Sequence, residues 1–158
     1  MSSTDPVVVE LPGEPPLVLK RLVLDFTGTL SKDGRLLPGV AARLRKISRR
    51  MPITVLTADT LGKAAGSLEG LSVEMRIIRN GRDKAAAIKT FGAEHVAAIG
   101  NGRNDVPALR AAGLGVAVIG PEGAAGELLG VADVVVRDIR DGLDLILSPL
   151  RLRATLRR

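Results

Sequence analysis

Residues 22–30 read Leu-Val-Leu-Asp-Phe-Thr-Gly-Thr-Leu, an apolar run that ends in one carboxylate, Asp25, and then turns through Thr27, Gly28 and Thr29. The pattern predicts a buried parallel strand that delivers Asp25 to its carboxyl end. Ligands bind at this edge of parallel α/β sheets, so Asp25 is a candidate ligand-binding or reacting group. Strands that end in Asp before a glycine turn are also common structural features, so this segment alone leaves both interpretations open.

Three further segments supply side chains of complementary chemistry. Thr57 places a hydroxyl at the end of the apolar run Ile-Thr-Val-Leu-Thr. Lys84 lies in the first turn of a predicted helix, within Arg-Asp-Lys-Ala-Ala-Ala-Ile-Lys. Residues 99–109 read Ile-Gly-Asn-Gly-Arg-Asn-Asp-Val-Pro-Ala-Leu. Taken alone, Lys84 reads as a solvated lysine and Thr57 as a strand terminator, but their combination with Asp25 favours a functional site.

The four segments, in this order, resemble the four motifs of the haloacid dehalogenase (HAD) superfamily. The first and fourth are similar to the Asp-x-Thr-Gly-Thr and Gly-Asp-Gly-x-Asn-Asp-x-Pro-Ala-Leu motifs of the phosphorylation domain of P-type ATPases. The resemblance implies a soluble P-type ATPase-like hydrolase without the transmembrane helices, actuator or nucleotide-binding domain. It also implies that Asp25 is a nucleophile that becomes an aspartyl phosphate with help from Mg²⁺.

The resemblance assigns a role to each matching residue. The implied catalytic residues are Asp25, Thr27, Thr57 and Lys84. The implied Mg²⁺ ligands are Asp25, the backbone carbonyl of Thr27, the side-chain oxygen of Asn101, and Asp105 directly or through water. The implied phosphate-binding residues are Thr27, Gly28, Thr57, Ala58, Lys84 and Asn104. The metal is needed because a phosphoryl group carries roughly two negative charges, which repel a carboxylate nucleophile.

Two positions depart from the motifs. Position 27 is Thr, where phosphatases of the superfamily usually carry Asp as general acid and base. Threonine cannot perform this function at neutral pH, so we expect slow hydrolysis of the phosphoenzyme. Asn101 replaces the first Asp of the fourth motif, and its neutral oxygen should bind Mg²⁺ more weakly than a carboxylate.

Composition excludes several classes of protein. The 158 residues contain no cysteine, which rules out disulfides and zinc–thiolate sites, and the aromatic content of 1% provides no stacking platform for single-stranded nucleic acid. The net charge of +6 comes largely from arginine-rich stretches at 43–50 and 151–158. We interpret the first as the solvated face of an amphipathic helix, although its positive field could attract phosphorylated substrates. We expect a cytoplasmic protein with neither nucleic acid nor membrane as partner.

The pattern along the chain predicts an α/β fold, with a Rossmann-like parallel sheet and helices on both faces. We expect one domain over 1–158, with an N-terminal hairpin extension at 1–20 and a basic C-terminal helix at 149–158. The predicted strands are 7–10, 17–20, 22–25, 53–57, 73–78, 96–99, 115–119 and 133–136. The predicted helices are 40–50, 61–68, 83–91, 105–112, 124–129 and one or two within 141–156.

The short gaps between the motifs leave room only for a flap and one helix–strand unit, so we predict a minimal cap or none. An open site suits a small phosphorylated substrate or a protein-borne phosphate, and a homo-oligomer could supply a lid. The leading hypothesis is a Mg²⁺-dependent phosphohydrolase. The alternative is a phosphate-binding regulatory module with little turnover that acts through a protein partner.

Overall fold

The computed structural model describes residues 5–59 and 62–158. Its centre is a parallel six-stranded sheet in the order β10-β9-β8-β3-β6-β7. The strands are β1 (Val7–Val9), β2 (Leu17–Leu19), β3 (Arg21–Leu24), β4 (Ser31–Lys32), β5 (Arg35–Leu36), β6 (Ile53–Thr57), β7 (Glu74–Ile77), β8 (Val96–Gly100), β9 (Leu114–Val118) and β10 (Val134–Val136). This sheet confirms the predicted α/β class.

Helices cover both faces of the sheet. They are α1 (Val40–Ser48), α2 (Lys63–Ser67), α3 (Gly81–Thr90), α4 (Val106–Ala111), α5 (Gly126–Leu129), α6 (Ile139–Leu147) and α7 (Pro149–Leu156). Side chains of β3 alternate between two cores: Leu22 and Leu24 pack with α1, α6 and α7, whereas Val23 packs with α3, α4 and α5. This alternation arises because successive side chains of a strand point to opposite faces.

Helix α1 shows how the sequence pattern fixes the packing. Val40, Leu44 and Ile47 are buried at its inner face, while Arg45 and Lys46 are exposed. The basic side chains therefore form the solvated surface that the spacing predicts. Among the described residues, no helix is long and apolar enough to cross a bilayer.

Two small hairpins accompany the sheet. The antiparallel pair β1–β2 confirms the predicted N-terminal hairpin, and Val7, Val9 and Leu19 bury their side chains in the core of the α1 face. The second hairpin, β4–β5, is a flap directly after the Asp25 turn. Its two turn residues, Asp33 and Gly34, have φ angles of 52° and 79°. Positive φ at both positions is typical of the two-residue hairpin turn that Asp-Gly favours.

The bounds of the predicted helices shift by a few residues in the structure, and two segments illustrate this. The described part of the 61–68 prediction is helical over Lys63–Ser67, and Leu61 itself lies outside the described residues. The segment predicted over 141–156 begins earlier and is two helices, α6 and α7. Pro149 lacks an amide proton and is accepted at the first turn of a helix, so it separates them.

Leu44→Ala should lower the free energy of unfolding by about 2–5 kcal/mol, because it removes a fully buried side chain between α1 and the sheet. The matched control is Leu150→Ala on α7, whose side chain is 77% exposed and whose truncation should change stability by less than about 0.5 kcal/mol. Urea denaturation measures both. Equal effects of the two substitutions would contradict this core assignment.

Candidate active site

The carboxyl ends of β3 and β8 form the edge of the sheet at which the site lies. From β3 the chain runs to β6 and β7 on one side of the sheet, and later returns to β8 on the other side. Such a reversal opens a crevice between the two loops that leave the neighbouring strands. Asp25 follows β3, and its amide donates to Ile99 O at 3.0 Å, while Asn101 follows β8. The first and fourth sequence segments therefore meet.

Lys84 joins these loops through two ion pairs. Its Nζ lies 2.8 Å from Asp25 Oδ1 and 2.6 Å from Asp105 Oδ1. The side chains of Lys84 and Asp105 are 2% and 3% exposed, whereas that of Asp25 is 10% exposed and reaches the cleft. Helix α3 thus places an ammonium group beneath the carboxylate that faces solvent.

The second oxygen of Asp105 fixes the loop after β8. Asp105 Oδ2 accepts hydrogen bonds from the amides of Asn101 at 3.1 Å and Gly102 at 2.9 Å. Both oxygens of this carboxylate are therefore engaged, one with Lys84 and one with the loop backbone. Asp105 consequently holds Asn101 in place beside Asp25.

Thr29 was not assigned a role from the sequence, although it belongs to the Thr-Gly-Thr turn. Its fully buried hydroxyl lies 3.3 Å from Asp25 Oδ2 and 3.1 Å from Asn101 Oδ1. Asp25 Oδ2 and Asn101 Oδ1, which could both face a cation, therefore lie close to the same hydroxyl. The repeated threonine of the first motif was the signal that could have identified this residue.

Gly28 allows the two loops to approach each other. Its φ of 74° is in the left-handed region, and a Cβ placed on it would lie 2.6 Å from Asn101 Nδ2. Asn101 Nδ2 also donates to Gly123 O at 3.1 Å, which orients its side-chain oxygen toward Thr29. A side chain at position 28 would be strained and would displace the amide of Asn101.

The buried charges shift the pKa values of the site. Burial raises the pKa of Asp25 to about 6, and the negative charge of Asp105 adds to this, while Lys84 opposes it. Burial by itself would lower the pKa of Lys84, but the carboxylates of Asp25 and Asp105 outweigh burial and hold that pKa above its usual value. Lys84 is thus a permanent cation, and Asp25 is mainly ionised at neutral pH.

An open cleft of about 520 Å³ lies over Asp25. Five further residues assigned from the sequence line it: Thr27, Thr57, Ala58, Asn101 and Asn104. The other three, Lys84, Asp105 and Gly28, are buried and do not line it. The structure therefore brings every predicted site residue to this region but separates those that face the cleft from those that support it.

Four charged residues of the cleft were missed by the sequence reasoning: Asp33, Asp59, Lys63 and Glu122. Asp33 is in the flap, and Asp59 accepts hydrogen bonds from the amides of Lys63 and Ala64 at the start of α2. Together with Asp25, the acidic side chains outnumber Lys63 by four to one in the cleft wall. The missed acidic residues belong to surface loops, where a carboxylate has no distinctive sequence pattern.

A profile of the family of haloacid dehalogenase-like hydrolases matches residues 58–142, which is more than half of the sequence. The chain belongs to this family. The matched range contains Lys84 and Asp105, whereas Asp25 precedes it. Asp25 lies beside Lys84 at the carboxyl edge of the sheet, so it belongs to the same site although the family profile does not cover it.

Other proteins are similar to this chain in sequence or in fold. An uncharacterized protein of Methanocaldococcus jannaschii is 52% identical over 62 residues, which are 39% of this chain and 67% of that protein. A HAD superfamily (subfamily III A) hydrolase from Legionella pneumophila has a TM-score of 0.71 at 21% identity, with 87% of each chain covered. The magnesium-, phosphate- and KDO-bound 3-deoxy-D-manno-octulosonate 8-phosphate phosphatase of Moraxella catarrhalis has a TM-score of 0.67 at 19% identity, covering 86% of this chain and 90% of that one.

In metal-free protein, the carboxyl carbon of Asp25 should titrate near pH 6, measured by ¹³C NMR. Asp105→Asn should lower this pKa because a neighbouring negative charge is lost, and Lys84→Met should raise it because the stabilising cation is lost. Asp141→Asn removes an exposed carboxylate on α6 and should leave the titration unchanged. Titration of Asp25 at its ordinary value of 3.8 would contradict the buried triad.

Proposed function

We propose that this HAD-family hydrolase is a Mg²⁺-dependent phosphohydrolase that uses Asp25 as its nucleophile. The observation that supports this most strongly is the buried Lys84, which holds one oxygen of Asp25 at 2.8 Å while the carboxylate faces an open cleft. The ion pair fixes the direction of the carboxylate and favours its ionised form at neutral pH. A pre-oriented anion in this position can attack an electrophilic phosphorus atom.

The donor atoms of the site fit a hard divalent cation. Asp25, the carbonyl of Thr27 and the side-chain oxygen of Asn101 would hold Mg²⁺, with Asp105 acting through water because its side chain is buried and does not line the cleft. The acidic wall of the cleft would repel a phosphate dianion, so a bound cation is needed for such a substrate. When bound, Mg²⁺ supplies positive charge that neutralises the phosphoryl oxygens.

Residues of this chain perform the chemical step. An oxygen of Asp25 forms a bond to phosphorus as the bond between phosphorus and the leaving oxygen breaks, which produces an aspartyl phosphate. The Thr57 hydroxyl and the amides of Gly28 and Ala58 are proposed to donate to the phosphoryl oxygens. Lys84 is proposed to stabilise the charge from behind Asp25, and Asn104 to donate to the phosphoryl group from the cleft wall.

Decay of the aspartyl phosphate is proposed to be slow, as in the P-type ATPases that the motifs resemble. Thr27 is exposed and lines the cleft, where a carboxylate would be able to deprotonate water. A threonine hydroxyl provides no base at neutral pH. General acid–base catalysis is worth about 10²–10⁴ in rate, so its loss would make dephosphorylation the slow step.

A second candidate is a phosphate-binding module with little turnover. The replacements at positions 27 and 101, and the full engagement of Asp105, favour it over an efficient enzyme. The open cleft would accept a protein-borne phosphate as readily as a small substrate.

For the enzyme, the similarity of the fold to sugar-phosphate phosphatases supports a small phosphorylated substrate. A homo-oligomer could then supply a lid over that substrate. We propose that residues 1–158 act as one domain.

Asp25→Asn should reduce Mg²⁺-dependent hydrolysis of p-nitrophenyl phosphate to background while the circular dichroism spectrum stays unchanged. The amide is nearly isosteric but cannot act as the nucleophile. Asp141→Asn makes the same chemical change on an exposed face of α6 and should retain full activity. If Asp25→Asn keeps more than a tenth of the activity, Asp25 is not the nucleophile.

The wild-type protein, quenched in acid during turnover of a ³²P-labelled substrate, should retain covalent label on Asp25. Thr27→Asp should increase steady-state hydrolysis by about tenfold or more and reduce the label, because it restores a general base. Thr27→Asn is the matched control, because asparagine has the size of aspartate without its charge. Absence of label together with a slower Thr27→Asp protein would favour the binding module.

A further inference from the structure

A second groove lies beside the catalytic cleft, between the flap and α2. Its volume is about 830 Å³, and it shares Asp33, Gly34 and Lys63 with the cleft over Asp25. Lys32 and Arg35 of the flap complete its charged lining. The groove is therefore adjacent to the cleft in which Asp25 lies.

The two flap cations lie opposite each other, an arrangement that does not stabilise the hairpin. Lys32 and Arg35 are register partners across the hairpin β4–β5, directly on either side of the Asp-Gly turn. Like charges at opposite positions of an antiparallel pair destabilise it. In residues 5–59 and 62–158, neither of them forms a salt bridge, and Lys63 does not form one either.

The flap is nevertheless fixed to α2. Ser67 Oγ donates to Gly34 O at 3.0 Å, and the aliphatic part of the Lys63 side chain lies across the backbone of Gly34. A side chain at position 34 would collide with Lys63. The groove therefore presents its three cations from two elements that contact each other.

Charge is distributed unequally between the two adjacent cavities. The inner cleft has Asp25, Asp59 and Glu122 in its wall, whereas the outer groove carries three cations against the single carboxylate of Asp33. The inner part suits a cation, and the outer part suits an anion. A leaving group departs on the side of phosphorus away from Asp25, which is the open side of the cleft.

We infer that the groove of Lys32, Arg35 and Lys63 binds a negatively charged leaving group. The substrate would then carry a second anionic group, a phosphate or a carboxylate, beyond the phosphoryl group that Asp25 attacks. This inference rests on the proposed function and specifies its substrate class. As the bond from phosphorus to the leaving oxygen breaks, that oxygen keeps the electron pair and takes a proton from water. Hydrolysis of the aspartyl phosphate by a second water releases inorganic phosphate.

Three substrates that share one ring test the inference. Phenyl phosphate has a neutral leaving group, 4-carboxyphenyl phosphate adds a carboxylate, and 1,4-phenylene bisphosphate adds a phosphate. In wild type, kcat/KM should be about fivefold or more higher for at least one charged substrate, through a lower KM. The Lys32→Gln/Arg35→Gln double variant should lose this preference and leave phenyl phosphate turnover unchanged.

The matched control is Arg45→Gln/Lys46→Gln, which removes two exposed charges from the surface of α1. This control variant should keep the preference for charged substrates. If both double variants lose that preference, the cause is net charge and not the groove. Improvement of only the bisphosphate identifies a second phosphate as the ligand, and improvement of both identifies any anion. Equal kcat/KM values for all three substrates in wild type would overturn the inference.

A binding measurement separates this inference from the proposed function. Calorimetry with Mg²⁺ and Asp25→Asn protein compares phenylphosphonate with 4-carboxyphenylphosphonate and 1,4-phenylenediphosphonate, which are not hydrolysed. Tighter binding of a charged analogue that disappears in the Lys32→Gln/Arg35→Gln background supports the groove even if no substrate is turned over. If wild type hydrolyses phenyl phosphate through Asp25 but none of the charged analogues binds more tightly, only the inference on the groove fails.

Discussion

The buried ammonium of Lys84 is the interaction on which the site depends. It contacts two carboxylates that come from different loops, and all three charges are largely removed from water. A buried charge is tolerated only when it is paired and hydrogen-bonded, so loss of Lys84 would leave two carboxylates without their counter-ion. Within the described residues, each buried side-chain nitrogen or oxygen has a hydrogen-bond partner. The same contacts therefore fix the loops and set the ionisation of Asp25.

Close approach of backbone segments makes this arrangement possible. Gly81 opens α3 beside the turn before α4, and a Cβ on it would lie 2.5 Å from Asn104 O. Gly28 similarly lets the turn after β3 approach Asn101. Only residues without a side chain fit at these two contacts. The helix that carries Lys84 and the loop that carries Asp105 are thus packed at the distance that an ion pair requires.

The distribution of charge around the cleft connects the fold with the proposed chemistry. A strongly basic chain nevertheless has an acidic cleft wall, because its arginines are concentrated elsewhere, including the outer face of α1 and the terminal helix α7. Affinity for a phosphate must then come from a cation and from local donors. The cationic flap and α2 line an adjacent groove of the opposite sign. In the proposed function, an open cavity of this kind would distinguish ligands by charge, since little of it encloses them.

The sequence determined the α/β architecture and predicted most residues of the candidate site, whereas the tertiary structure decided which of them face the cleft. Buried strands of branched residues could be predicted because they are local patterns, and Asp25, Thr57, Lys84 and Asp105 because their segments resemble family motifs in the same order. The role of Thr29 and the engagement of both Asp105 oxygens could not, because they depend on contacts between residues far apart in sequence. The position of the loop carboxylates in the cleft and the pairing of the flap cations likewise could not be predicted, because both depend on how the carboxyl ends of β3, β6 and β8 align.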